Sequence, residues 1–190
     1  QSGDVLYARL NWMMSNMANY VAGQNVSTIL EACTDIFTKI QKQDGQKQFL
    51  GYAIIHHSQC LVLREGPSVL DAGRIDEIPT ERDFLATAEF GADKTNILTY
   101  KIHRLMRAFL FRELDDVSRY ANVLDTILEE KHPLRPGPLM GLFFEGLACY
   151  QLARQTNNDE GIKWMERGES ILVRMKLWSQ HSTWNFENKM

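Results

Sequence analysis

The chain has 190 residues, 44% of them hydrophobic and 24% charged, with a formal net charge of −3. This is the composition of a globular chain long enough to bury a core or build a short stack of repeats, and it excludes disorder and collagen-like structure. A net negative charge without clustered Lys and Arg argues against nucleic acid as a partner, and the polar residues spaced through every apolar stretch leave no membrane span.

Gln1-Ser2-Gly3 reads as the remnant of a cleaved expression tag, so residues 4–190 are expected to be one helical-repeat domain excised from a longer protein. The first helices fill 4–65. Leu6, Leu10, Met13, Met14, Met17 and Val21 share one helical face that Gly23 ends. Val26, Ile29, Leu30, Cys33, Ile36, Phe37 and Ile40 repeat at three and four, up to Asp44-Gly45. A third face runs through Phe49, Leu50, Ala53, Ile54, His57, Cys60 and Leu61 and breaks at Gly66-Pro67.

Residues 66–80 read as a connector with one helical turn. Thr80 is expected to cap a short helix through Phe84, Leu85 and Ala88, with Asp83 completing a weak capping box. Further helix pairs fill 81–190. One helix carries Ile97, Tyr100, Leu105, Met106, Phe109 and Leu110. Asp115-Asp116 then opens the next, whose face is Val117, Tyr120, Ala121, Leu124, Ile127 and Leu128. Pro133–Pro138 reads as a stiff loop. The last pair runs through Leu142 to Leu152, then Ile162, Met165, Gly168, Ile171, Leu172 and Met175, and a final helix is expected from Thr183. Pairs at 4–43, 95–131 and 138–176 repeat with a period near forty, as helical repeats do. In the last pair Gly146, Ala148, Gly161 and Gly168 fall where two helices approach closely, and tetratricopeptide repeats use small residues at comparable places. The predicted fold is all-α, an α-α superhelix of antiparallel pairs.

Few residues invite chemistry. His56-His57 with Cys60 suggests a metal, but His56 points about 100° from the face that His57 and Cys60 share, and no second Cys/His cluster supplies further donors. His57 reads as a core histidine. His103 and His132 carry no role. Cys33, Cys60 and Cys149 are odd in number, lack a C-x-x-C and sit on apolar faces, as reduced thiols of a cytoplasmic protein do. Cys149 with His181 lacks the surroundings of a thiol nucleophile. Asp71, Asp76, Glu77, Glu81 and Asp83 read as a solvated acidic connector. Asn25-Val26-Ser27 fits a glycosylation sequon by chance. There is no phosphate-cradling loop. Trp164, Trp178, Trp184 and Phe186 form an aromatic-rich end that reads mainly as packing, with Trp184 the exposed exception. No catalytic, cofactor or metal site is expected.

The C-terminal third carries a more specific pattern. Phe144-Glu145-Gly146-Leu147-Ala148 is followed about thirty residues later by Trp178-Ser179-Gln180-His181-Ser182-Thr183-Trp184-Asn185-Phe186-Glu187-Asn188-Lys189. This resembles the W-A-x-H-x-x-x-N-F-x-x-K signature closing the helical region of large AAA/STAND-type predicted ATPases of multidomain signalling proteins. Leu105–Leu128 and Ser15–Ile40, with Ala22-Gly23-Gln24-Asn25 at its turn, also resemble helix pairs of that family. Trp184 and the longer turn from Arg154 to Asp159 depart from its pattern. The resemblance implies a tetratricopeptide-like region that follows kinase-like and ATPase domains and precedes GAF, histidine-kinase or cyclase domains. The family's nucleotide-binding residues lie outside this segment. The expected role is therefore a non-catalytic scaffold or relay for a protein or peptide partner, or for neighbouring domains of the parent chain. An open groove lined by Asn16, Tyr20, Arg107 and Gln151 would suit that role, with Trp184 as a further contact. Self-association through the C-terminal end is also expected. The alternative is a small all-α enzyme or ligand-binding protein with a closed apolar pocket between helices.

Overall fold

The computed structural model describes residues 2–41, 47–71, 81–87, 94–128, 136–156 and 159–181. These are helical, with no strand among the described residues, and no helix among them is long and apolar enough to cross a membrane. The chain forms two compact units, Gln1–Tyr100 and Lys101–Met190.

The first unit contains α1 (Ser2–Val21), α2 (Val26–Gln41), α3 (Lys47–Glu65), a 3-10 turn (Pro67–Asp71), α4 (Glu81–Leu85) and the start of α5 (Lys94–Phe111). The α1–α2 turn follows from local chemistry. Gly23 takes φ 74°, its N–H donates to the Tyr20 carbonyl at 3.1 Å, and the Gln24 N–H donates to the Asn19 carbonyl at 3.0 Å. These bonds form a Schellman stop, and glycine enters the left-handed region without a Cβ penalty. Asn25 then accepts from the Ser27 N–H at 2.9 Å, which makes the asparagine of the apparent sequon the N-cap of α2. Ile29, Leu30, Cys33, Phe37 and Ile40 are the buried stripe of α2, as their spacing predicts.

On α1 the inward residues are Asn16, Met17 and Tyr20, while Met14 is 46% exposed. Met14 thus departs from the predicted face, while the side chains of Leu6 and Leu10 lie outside the described residues. The larger departure is α3, which is buried without interruption from residue 51 to 62 rather than along one face. It packs on α1, α2, α4 and the 3-10 turn. Tyr52, Ile55, His56, Gln59 and Val62 are buried as well as the predicted stripe. A helix enclosed on all sides shows no single apolar stripe. Phe84 of α4 joins Phe37, Ile54 and Ile55 in one cluster flanked by Leu50 and Tyr100. Gly51 permits this, since a Cβ there would run into the Phe84 ring. The expected helical turn in the connector is the 3-10 turn. Thr80, Asp76, Glu77, Ala88 and Gly91 lie outside the described residues.

The second unit contains the rest of α5, α6 (Leu114–Leu128), α7 (Pro136–Gln155) and α8 (Asp159–His181). Helix α5 stops at Arg112, a non-glycine residue at φ 61°. Its N–H donates to the Phe109 carbonyl at 3.3 Å, and the Glu113 N–H donates to the Ala108 carbonyl at 2.9 Å. This repeats the Schellman geometry with an arginine where glycine is easiest. Val117, Tyr120 and Ala121 of the predicted α6 face are buried, and the side chains of Leu124, Ile127 and Leu128 lie outside the described residues. Helix α7 begins at Pro136, inside the stretch that reads as a loop. Pro136 and Pro138 fall in its first turn, where the backbone N–H has no intrahelical acceptor to lose.

Helices α7 and α8 pack closely. A Cβ on Gly146 would stand 3.2 Å from Ile171 Cγ2, and one on Gly168 would stand 3.3 Å from Tyr150 Cζ. The small residues of this pair thus lie where the two helices approach. Helix α8 departs from its predicted face only at its start, since Gly168, Ile171 and Met175 lie inward as predicted. Gly161, Trp164, Gly168, Ile171, Met175 and Ser179 face inward, while Ile162 is 60% and Met165 38% exposed. The inward stripe begins on a glycine and a tryptophan, and Ile162 is turned about 100° away from Gly161. The expected helix from Thr183 lies outside the described residues.

Candidate functional site

Residues that look chemically active in the sequence are mostly built into the interior. His56 and His57, adjacent on α3, face different partners. His56 is fully buried, its ring centroid 4.2 Å from that of Tyr52 and 5.9 Å from that of Tyr20. Around it Gln59 Nε2 donates to Tyr20 Oη at 3.1 Å, Tyr52 Oη donates to the Met13 carbonyl at 3.2 Å, and Asn16 Nδ2 donates to Cys33 Sγ at 3.1 Å. This polar layer joins α1 to α2 and α3. Burial pushes the Cys33 thiol up to about 12, against the smaller lowering effect of the Asn16 hydrogen bond. Burial, reinforced by Cys33, also raises Cys60 well above the usual thiol range. Neither is an activated thiolate. Among the described residues, no three His, Cys, Asp or Glu side chains gather as a metal site would require.

His57 faces the other way, into a groove of about 420 Å³ between α2 and α3. Leu30, Glu31, Thr34 and Asp35 line one wall, one turn apart in two pairs on α2, and His57, Leu61 and Arg64 line the other from α3. Leu30, His57 and Leu61 are buried, whereas Glu31, Asp35 and Arg64 are exposed at the rim. Two rim charges have intrachain partners. Lys39 Nζ donates to Asp35 at 2.5 Å, and the Arg64 guanidinium holds Glu65. The Thr34 hydroxyl donates to the Leu30 carbonyl at 3.0 Å. Five of the seven lining residues are polar types, and the groove is open rather than a closed pocket.

In the second unit the principal polar feature is a buried ion pair. Arg167 of α8 holds Glu145 of α7, which is 2% exposed, and donates to the Ala121 carbonyl of α6 at 2.7 Å and to Asn122 Oδ1 at 3.3 Å. One guanidinium thus ties three helices together, with its Cζ 5.5 Å above the Trp164 ring. His103 is also buried, and burial, followed by the neighbouring Arg107 charge, lowers its pKa to about 3. His103, to which the sequence assigns no role, is therefore an interior histidine held neutral by its burial. Arg104 pairs with Asp116 at 2.6 Å, joining α5 to α6.

Of the predicted partner contacts, Asn16 (3% exposed), Tyr20 (8%) and Arg107 (3%) are interior residues, and Gln151 is half-buried with its Oε1 shielded from solvent. Asn16 and Tyr20 belong to the first unit, Arg107 and Gln151 to the second. Trp184 and Phe186, with the C-terminal end expected to self-associate, lie outside the described residues. So do His132 and the side chains of Asp71, Glu81 and His181. Asp83 is exposed, Trp164 is buried and Trp178 half-buried. Of the groove residues, sequence reading singled out only His57, with Leu30 and Leu61 as packing. Glu31, Thr34, Asp35 and Arg64 belong to no motif, and only their shared spacing along α2 and α3 marks them. No known protein family, curated protein or solved structure matches the chain.

Proposed function

We propose that this chain is a non-catalytic helical scaffold that binds a protein or peptide partner. In this reading the pairs α1/α2, α5/α6 and α7/α8 are tetratricopeptide-like repeats of an α-α superhelix, part of a large cytoplasmic signalling ATPase. The signature-like stretch at 178–189 supports that parentage. The observation that carries the binding role is the α2–α3 groove, where polar side chains stand on two rigid helices while the thiols of Cys33, Cys60 and Cys149 are sequestered. The small-ligand alternative is disfavoured by the openness of the groove, which would leave a small molecule largely exposed.

The test is a random dodecapeptide array probed with the intact protein, with ATP turnover measured in parallel. The proposal expects saturable binding of a subset of peptides and no turnover. No saturable peptide binding, or hydrolysis abolished by one substitution in this chain, would refute it.

A further inference from the structure

We infer that the α2–α3 groove takes a peptide segment presenting a basic side chain, with Glu31 as its counter-charge. This deepens the binding role proposed above and rests on it. The argument is one of charge complementarity. Of the three ionised groups on the rim, Asp35 is neutralised by Lys39 and Arg64 by Glu65. Glu31 has neither a salt bridge nor a hydrogen bond among the described residues and stands exposed one turn before Asp35. The groove therefore carries one uncompensated negative charge. Below it Leu30 and Leu61 form the buried floor of the groove. An arginine or lysine supplies the missing counter-charge, because its long stem lets the cationic head reach the carboxylate from a backbone lying along the groove. Arginine suits better, since its fork can bond Glu31 bidentately. The occupant is a peptide rather than a free small cation. The rim side chains stay exposed, and so open a groove gains affinity from neighbouring residues of a chain laid along the helices.

The test uses peptides selected on the same array by the intact protein. Selected peptides should be enriched in Arg or Lys, and Glu31→Gln should weaken the best of them about tenfold, as loss of one charge-assisted bond does. The charge-swapped Glu31→Arg variant should instead select acidic peptides, an outcome that a merely structural role would not give. Glu31 is exposed, so both variants should keep the wild-type helical circular dichroism. Peptides that bind wild type and Glu31→Gln equally would overturn the groove assignment while leaving the scaffold role intact. Free arginine or spermidine that binds as tightly as the peptides would overturn the peptide as occupant. A protein that binds no peptide at all would overturn both this inference and the role beneath it.

Discussion

Replacing Arg167 by methionine should unfold the second unit at markedly lower denaturant. Arg167 touches three helices at once, through Glu145 on α7 and through the Ala121 carbonyl and Asn122 on α6. Glu145 is the more deeply placed partner, with a side chain 2% exposed against 17% for Arg167. Removing the arginine strands a carboxylate in the interior, which costs about 3–5 kcal/mol for a fully buried pair. The partial exposure of Arg167 argues for the lower half of that range. Removing the acid instead, as Glu145→Gln, leaves a guanidinium that keeps its Ala121 and Asn122 acceptors and can still reach water. That change should cost about 1–2 kcal/mol. The asymmetry is the diagnostic feature. The double variant Glu145→Leu/Arg167→Met should recover much of the loss, because neither charge is then stranded. Urea unfolding followed by circular dichroism gives all three values, with an unchanged m showing that stability alone has moved. A cost below about 1 kcal/mol for Arg167→Met would refute the reasoning, since it would mean that Glu145 is solvated without its partner.

Arg112→Gly should stabilise the protein by about 0.5–1 kcal/mol, because a non-glycine residue at φ 61° pays a steric penalty that glycine avoids; a destabilised variant in urea melts would contradict the left-handed stop. His103 has a folded pKa lowered to about 3, so the unfolded chain takes up its proton first and stability falls as pH drops below about 6.5. Between pH 7 and pH 5 this residue alone should remove about 2 kcal/mol, and His103→Gln should flatten that part of the urea-midpoint profile; an unchanged profile would show that His103 is not held neutral. Cys33, with its thiol pushed up to about 12, and Cys60, raised by burial in the same direction, should resist a disulfide reagent at pH 8 in the native state and react fully in urea; fast native labelling of either would mean that the α2–α3 packing opens readily.

Helices were legible wherever one face is buried. The α2 stripe from Ile29 to Ile40 follows the three-four spacing because its other side is solvated. Helix α3 was legible as a helix but not as the centre of its unit. Its second buried side carries His56 and Gln59, which read as polar until Tyr20 and Tyr52 supply their contacts. The inward side of the first turns of α8 was hidden for a related reason: Gly161 is chosen for the space that it leaves against Thr156, not for hydrophobicity. The ion pair Glu145–Arg167 spans 22 positions, and no local pattern announces it. The groove is the least legible element, since Glu31 and Arg64 are ordinary surface residues until α2 and α3 bring them to one opening.

The central claim is that this chain recognises a partner through that opening. A ¹⁵N-labelled sample titrated with the tightest array-selected peptide, followed by amide chemical shifts, tests it most directly. The account predicts saturable shifts concentrated at Leu30, Glu31, Thr34, Asp35, Leu61 and Arg64, with Glu145 and Arg167 unmoved. Shifts confined to other helices, or none at saturating peptide, would contradict it.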